Sequence, residues 1–258
     1  MSSLPKILYI NLDKAVDRRK IMESQFKKHG IQATRIPGVY GKNLNEFKYR
    51  KNIADLLGVH HSFLDPEFWL NRSNFKTMCN VESITMAKVG CYLSHALLLK
   101  YAYDKNYNSI VVLEDNSKIL PSFFHELNVP LDSDIVYIGG SVGDEFKIPR
   151  KSGVYPLYGD PKLWGTFGYI LPTRKSIVDS YNLFFSVFND PNMKSYDKHD
   201  DWRSGDIKLK AQSADAMYVN YFQKYGNAYF AYPSRVTRNL DVESSIVNNR
   251  AKYRLHSY

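Results

Sequence analysis

The chain has 258 residues, 44% apolar and 24% charged, which is enough to bury one large core and excludes an intrinsically disordered chain. Its formal net charge of +9 favours anionic partners, but the Lys and Arg residues are spread along the sequence and no nucleic-acid-binding motif accompanies them, so no nucleic-acid partner is expected. Cys79 and Cys91 lack zinc-type spacing and read as reduced, buried thiols; no apolar segment approaches bilayer-spanning length and Met1–Lys6 has no signal-peptide stretch, so a cytoplasmic chain without a transmembrane segment is expected.

Lys6–Leu12 (KILYINL) is a short β-rich run and predicts a first strand. A helix is expected from Val16 to about His29, with Ile21, Met22, Gln25 and Phe26 near one face and Gly30 as its stop. Ile31–Ile36 predicts a second strand, broken by Pro37-Gly38, so the chain should open with a parallel strand–helix–strand unit. Asn43–Leu57 reads as helix, Gly58–Ser83 as an irregular loop or small insertion, and Thr85–Tyr103 as a long buried helix. Ser109–Leu113 (SIVVL) is apolar throughout, as a strand covered on both faces must be, and Asp134–Ile138 (DIVYI) has the same character before Gly139-Gly140. Gly165–Leu171 predicts another strand, about Thr173 to Phe185 a helix, and Asn189–Leu209 a polar loop. Ser213 is a good N-cap for a helix reaching Lys224, Ala228–Tyr232 reads as a last strand, and the tail after Val236 is expected to pack loosely. There is no internal repeat or linker. The expectation is one α/β domain over residues 1–258, with a mostly parallel central sheet flanked by helices.

Glu114-Asp115-Asn116 stands at the carboxyl end of the apolar strand 109–113. Ligands of open α/β sheets bind outside those strand ends, and acidic side chains placed there are free to hold a hard divalent cation through oxygen, usually Mg²⁺ or Mn²⁺. The alternative is a solvated strand-to-loop turn.

Several further segments resemble one family. Tyr9-Ile-Asn-Leu-Asp13 with Asp17-Arg18-Arg19 is similar to an opening YxINLD…DRR pattern. Pro37-Gly38-Val39-Tyr40-Gly41 lies near an alanine-x-Asp-Gly stretch, and Val89-Gly-Cys-Tyr-Leu-Ser-His95 is close to GEIGCxLSH. Val112-Leu-Glu-Asp-Asn116 is similar to LEDD, Gly165–Leu171 resembles GTxxYIIS, and Ala214-Asp215 resembles VDxxL. In this order and spacing, from about residue 6 to 235, the chain resembles glycosyltransferase family 25, the lipooligosaccharide-type and procollagen galactosyltransferases. The resemblance implies a GT-A fold, with a nucleotide-binding half over about residues 1–120 and an acceptor half over about 121–258. It implies an inverting hexosyltransferase that moves galactose or glucose from a UDP-sugar to a hydroxyl of a glycan or hydroxylysine-type acceptor, with Mn²⁺ or Mg²⁺ at the acidic triplet.

Carried onto this sequence, the resemblance makes Asp115 and Asn116 the metal ligands. Asn11, Asp13, Arg18, Ser94, His95 and Glu114 become the donor-binding residues, with Gly165 and Thr166 at the acceptor. Asp115 and Asp215 are the catalytic candidates. Asp215 would act as the general base that an inverting transfer requires, its alternative being a favourable charge at a helix N-terminus. Arg18 or Arg19 suits a diphosphate, since guanidinium makes bidentate phosphate contacts. His199, Asp200 and Asp201 in the polar loop are weaker candidates for base or ligand. There are two departures from the family pattern. Asn116 replaces its third acidic residue and offers a carbonyl oxygen without charge, which lowers metal affinity; Lys88 replaces an acidic residue. Asn116 motivates a second reading, a weak or inactive relative that binds a nucleotide sugar or glycan.

Overall fold

The computed structural model describes residues 5–72, 82–142, 146–147, 149–157, 163–188 and 213–239. Strand β1 (Lys6–Leu12) leads into helix α1 (Val16–His29), which returns the chain to β2 (Ala33–Gly38), parallel to β1 as the opening pattern requires. Pro37 and Gly38 lie inside β2 rather than breaking it. β2 is an edge strand, and an edge tolerates a residue with no N–H to donate. The expected helix over 43–57 is divided into a 3₁₀ turn (Gly41–Asn45) and helix α2 (Phe47–Leu57). The segment after Gly58 is more regular than its composition suggests, with a 3₁₀ turn (His61–Leu64) and helix α3 (Pro66–Arg72). Pro66 takes the first helical position, where a missing N–H has no intrahelical partner to lose.

Helix α4 (Glu82–Asp104) then crosses to β3 (Ile110–Glu114), and β4 (Ser117–Ile119) and β5 (Ile135–Val142) follow. Beyond β6 (Gly153–Pro156) and β7 (Leu163–Leu171), helix α5 (Arg174–Phe185) opens with a reciprocal capping box between Thr173 and Ser176. Helix α6 (Ala214–Tyr218) is shorter than predicted and continues as a wider π-helical turn (Val219–Gln223). Ser213 sits at its N-cap position, but its side chain makes no capping bond. Strand β8 (Ala228–Tyr232) is where the pattern placed it, while the start of the supposedly loose tail forms β9 (Val236–Arg238), paired antiparallel with β4. The polar loop over 189–209, with His199, Asp200 and Asp201, lies outside the described residues.

The predicted α/β class, one central sheet flanked by helices, is the architecture formed. The seven strands run in the order β2-β1-β3-β7-β5-β8-β6. Pairings β1–β2, β1–β3 and β5–β8 are parallel, and β7 is antiparallel to both β3 and β5, so the sheet is mixed. Leaving β1, the chain goes first to β2 on one side and later to β3 on the other. The carboxyl ends of β1 and β3 therefore flank a switch point, the place where open sheets bind ligands. Among the described residues no helix is long and apolar enough to cross a membrane.

Alternation along the strands divides the core in two. Leu8, Ile110 and Val112 join Val89, Tyr92 and Leu93 of α4, while Tyr9, Val111 and Leu113 join Met22 and Phe26 of α1. Helix α4 is apolar on nearly every side, and Leu93, Ala96, Leu98, Leu99 and Ala102 are fully buried. The 3₁₀ turn after β2 lies directly on α4. A β-carbon on Gly41 would stand 1.7 Å from the Met86 carbonyl oxygen, and one on Gly90 2.6 Å from that of Val39. Both contacts are backbone to backbone, so no side chain can move aside. Gly41→Ala is expected to lower the unfolding free energy by about 3 kcal/mol, the upper part of the usual overpacking range, measured by urea denaturation; Lys42→Ala, beside it and exposed, should change it little.

Candidate active site at the strand switch point

Alternation at the end of β3 sends neighbouring acidic residues to opposite faces of the sheet. Glu114 continues the Ile110–Val112 face toward α4, and Asp115 turns to the α1 face, the side that Asn11 occupies at the end of β1. Both acids, with Asn11, Arg18, Asn116 and His95, line one cavity of about 90 Å³ that opens between α1, the 3₁₀ turn and α4.

On the α1 face, Asp115 is buried and held from two sides. Arg18 Nη1 of α1 is 3.0 Å from Asp115 Oδ1, and Asn11 Nδ2 donates to Asp115 Oδ2 at 2.8 Å. Asn11 is itself fixed by Arg35 of β2, whose Nε donates to Asn11 Oδ1 at 3.0 Å and whose Nη2 also reaches Asp13. Burial pushes the Asp115 carboxyl above its ordinary value, although the Arg18 charge and the Asn11 hydrogen bond pull the other way.

On the α4 face, Glu114 Oε1 accepts from the Thr166 hydroxyl at 2.5 Å and stands 3.3 Å from His95 Nε2. Burial alone pushes the Glu114 carboxyl up, but the His95 contact, the Thr166 hydrogen bond and the Arg238 charge more than offset it and leave it below its ordinary value. His95 is fully buried, its Nδ1 2.9 Å from the Tyr169 hydroxyl and its ring stacked on Tyr169. Cys91, one helical turn before His95, also lines the cavity, and burial pushes its thiol well up, with Glu114, Asp215 and Asp115 adding to the shift.

Of the residues singled out in the sequence, Asn11, Arg18, Ser94, His95, Glu114, Asp115 and Asn116 come together around this cavity. Ser94 ties the turn to the helix, its Oγ accepting the Val39 N–H at 2.8 Å and donating to the Gly90 carbonyl at 2.6 Å. Asp13, Gly165, Thr166 and Asp215 are not part of the lining. Asp13 is exposed and paired with Arg35. Gly165 holds φ at 92°, a left-handed value that favours glycine, and sets Thr166 toward Glu114. Asp215 is half-buried at the start of α6, where its Oδ1 accepts the Ala216 N–H at 2.9 Å, and its charge reaches Cys91. Arg35, Tyr169 and the site role of Cys91 were not picked out from the sequence. A lone arginine inside a short strand was the only signal for Arg35; Tyr169 and Cys91 looked like ordinary core residues.

The oxygen donors of Asp115 and Asn116 fit a hard divalent cation in kind. Asn116 Oδ1 is buried at the cavity wall with no hydrogen-bond partner, an orphaned carbonyl oxygen of the sort such ions take as a ligand. It stands next to a carboxylate whose two oxygens each carry a single described contact with a donor side chain.

Residues 4–134 match the model of glycosyltransferase family 25, described as LPS biosynthesis protein. Similar curated proteins include a "Glycosyltransferase 25 family member" of Drosophila melanogaster, 26% identical over 68% of this chain and 27% of its own length. Two from Xenopus laevis are "Procollagen galactosyltransferase 1-B", 26% identical over 67% of this chain and 27% of its own, and "Procollagen galactosyltransferase 1-A", 26% identical over 76% and 32%. The chain thus spans about a quarter to a third of the length of these relatives.

Removing Arg18 takes away the cation that steadies Asp115. In Arg18→Gln the Asp115 carboxyl should titrate still higher, visible by carboxyl-carbon NMR. For an acid raised in the folded state, the favourable contribution is present below the unfolded carboxylate pKa and is lost as pH rises through the folded value. The stability deficit of Arg18→Gln should therefore be small in acid and grow toward neutral pH, to about 3 kcal/mol, the low end for breaking a buried pair. A deficit independent of pH would show that the ion pair does not govern Asp115.

Proposed function

The chain belongs to glycosyltransferase family 25, and from that premise we propose that it transfers galactose or glucose, with inversion, from a UDP-sugar to a hydroxyl group of a glycan or hydroxylysine-type acceptor. The observation that carries the reading is the convergence of Asn11, Arg18, Asp115 and the orphaned Asn116 oxygen on one cavity at the switch point of the sheet. The names of the Xenopus relatives support galactose as the sugar.

Asp115 and Asn116 would hold Mn²⁺ or Mg²⁺, which neutralises a diphosphate leaving group when bound. Arg18, projecting from the first turn of α1, supplies a fixed cationic fork for the same phosphates. Asn11 orients Asp115 through its hydrogen bond to Oδ2. Asp215 takes the proton of the acceptor hydroxyl as that oxygen bonds to the anomeric carbon. The bond from that carbon to the diphosphate oxygen breaks in the same step, and UDP departs with its electron pair. Asp215 stands at the start of α6, and its charge is felt at Cys91 on the cavity wall.

A second reading rests on Asn116. One charge fewer beside Asp115 weakens a cation site, and the chain would then bind a nucleotide sugar or glycan with little turnover.

The test is UDP release from a panel of UDP-sugars with Mn²⁺, repeated in EDTA. Release with one sugar, lost in EDTA, supports transfer; binding without release supports the second reading, as does a gain of activity in Asn116→Asp. In the active chain, Asp115→Asn should lower kcat at least about hundredfold, and Asp215→Asn about 10²–10⁴-fold with KM for the donor little changed. Full turnover in Asp215→Asn would remove it as the base.

A further inference from the structure

The second acid of the site, Glu114, faces away from the partners of Asp115 and toward two residues on one side of α4. Cys91 and His95 are four residues apart, so they lie on the same helical face one turn apart. Cys91 Sγ, a ring nitrogen of His95 and a carboxylate oxygen of Glu114 all fall within 4.8 Å of one another. The His95 Nε2–Glu114 Oε1 separation of 3.3 Å is the edge expected for two ligands about 2.0–2.1 Å from a tetrahedral zinc ion. All three side chains line the cavity.

We infer that Cys91, His95 and Glu114 form a binding site for a zinc-class divalent cation, with its fourth position open to the cavity. Thiolate, imidazole and carboxylate together suit a borderline ion and not Mg²⁺, so the site is chemically distinct from the oxygen donors of Asp115 and Asn116. The partner of the imidazole is already in place. With a metal on Nε2, the remaining ring proton sits on Nδ1, where the Tyr169 oxygen accepts it at 2.9 Å, and stacking on Tyr169 fixes the plane of the ring. The Tyr218 hydroxyl, 3.3 Å from that of Tyr169, extends the support into α6. Binding exchanges the thiol proton for the metal and releases it to solvent, while the imidazole keeps its one proton. Asp115 and Asp215 add negative charge around Cys91, which favours a cation there. The site would fasten α4 to the end of β3, and it stands whether or not the chain uses a UDP-sugar.

The experiment uses the full chain, reduced, stripped of metal with a chelator and titrated with Co²⁺. The expected result is one equivalent bound with a thiolate-to-cobalt charge-transfer band and the intense visible bands of a four-coordinate ion, displaced by Zn²⁺ but not by Mg²⁺; Co²⁺ held by the oxygen donors of Asp115 and Asn116 gives no such band and yields to Mg²⁺. Cys91→Ser should abolish the charge-transfer band and weaken Co²⁺ binding at that site at least about tenfold, while Cys79→Ser keeps both. The absence of the band in the unaltered chain would overturn the site even if Cys91→Ser failed to fold. So would a band that survives Cys91→Ser, or one lost in Cys79→Ser. None of these outcomes touches the UDP-release assay, so the two readings fail separately.

Discussion

A buried carboxylate needs compensation, and at Asp115 that compensation comes from three different elements. Arg18 arrives on α1, Asn11 on β1, and Arg35 of β2 reaches Asp115 only by fixing Asn11. An unpaired charge at this depth would be costly enough to shift its pKa or unfold the turn, so each partner constrains where its element can lie. The order β2-β1-β3 brings the three together, because β1 pairs in parallel with both neighbours and all three strands end on one side. The opening strand–helix–strand unit is thereby locked to the acidic end of β3 by the same contacts that shape the cavity.

The period of two along a strand makes adjacent acids at its end serve different neighbours. Asp115 meets arginine and amide on the α1 face; Glu114 meets hydroxyl and imidazole on the α4 face. Their carboxyls are displaced in opposite directions, up for Asp115 and down for Glu114, although they are one residue apart. Burial raises both; at Asp115 the Glu114 charge adds to it and Arg18 and Asn11 do not overcome it, whereas at Glu114 His95, Thr166 and Arg238 do. A motif that reads as one metal-binding triplet sends its two carboxylates to different partners on opposite faces of the strand end, while the Asn116 oxygen stays unpartnered at the cavity wall.

Helix α4 is the second organising element. It is buried on nearly every side, and its Gly90 and the facing Gly41 allow backbone to touch backbone. The 3₁₀ turn is thereby drawn against the helix, and Ser94 completes the joint through the Val39 N–H. Without that approach Tyr40 and Gly41 could not line the same cavity as Cys91 and His95.

By itself the sequence determined the α/β class, the positions of β1, α1, β3, β5, α5 and β8, and the family, because these follow from local periodicity and from short motifs that survive without tertiary information. It also placed the acidic triplet at a strand end. It misread Pro37-Gly38 as a break, since only the sheet order reveals that β2 is an edge where a missing N–H is harmless. It took Asn43–Leu57 as one helix because propensity does not register the close contact that tightens residues 41–45 against α4. Strand β9 was illegible because its partner β4 is distant in sequence and too short to carry a pattern. Which residues meet was decided by the tertiary structure alone. Arg35 beside Asn11, Tyr169 behind His95, and Cys91 with Glu114 are contacts between elements far apart in the chain, and no local preference encodes a long-range distance.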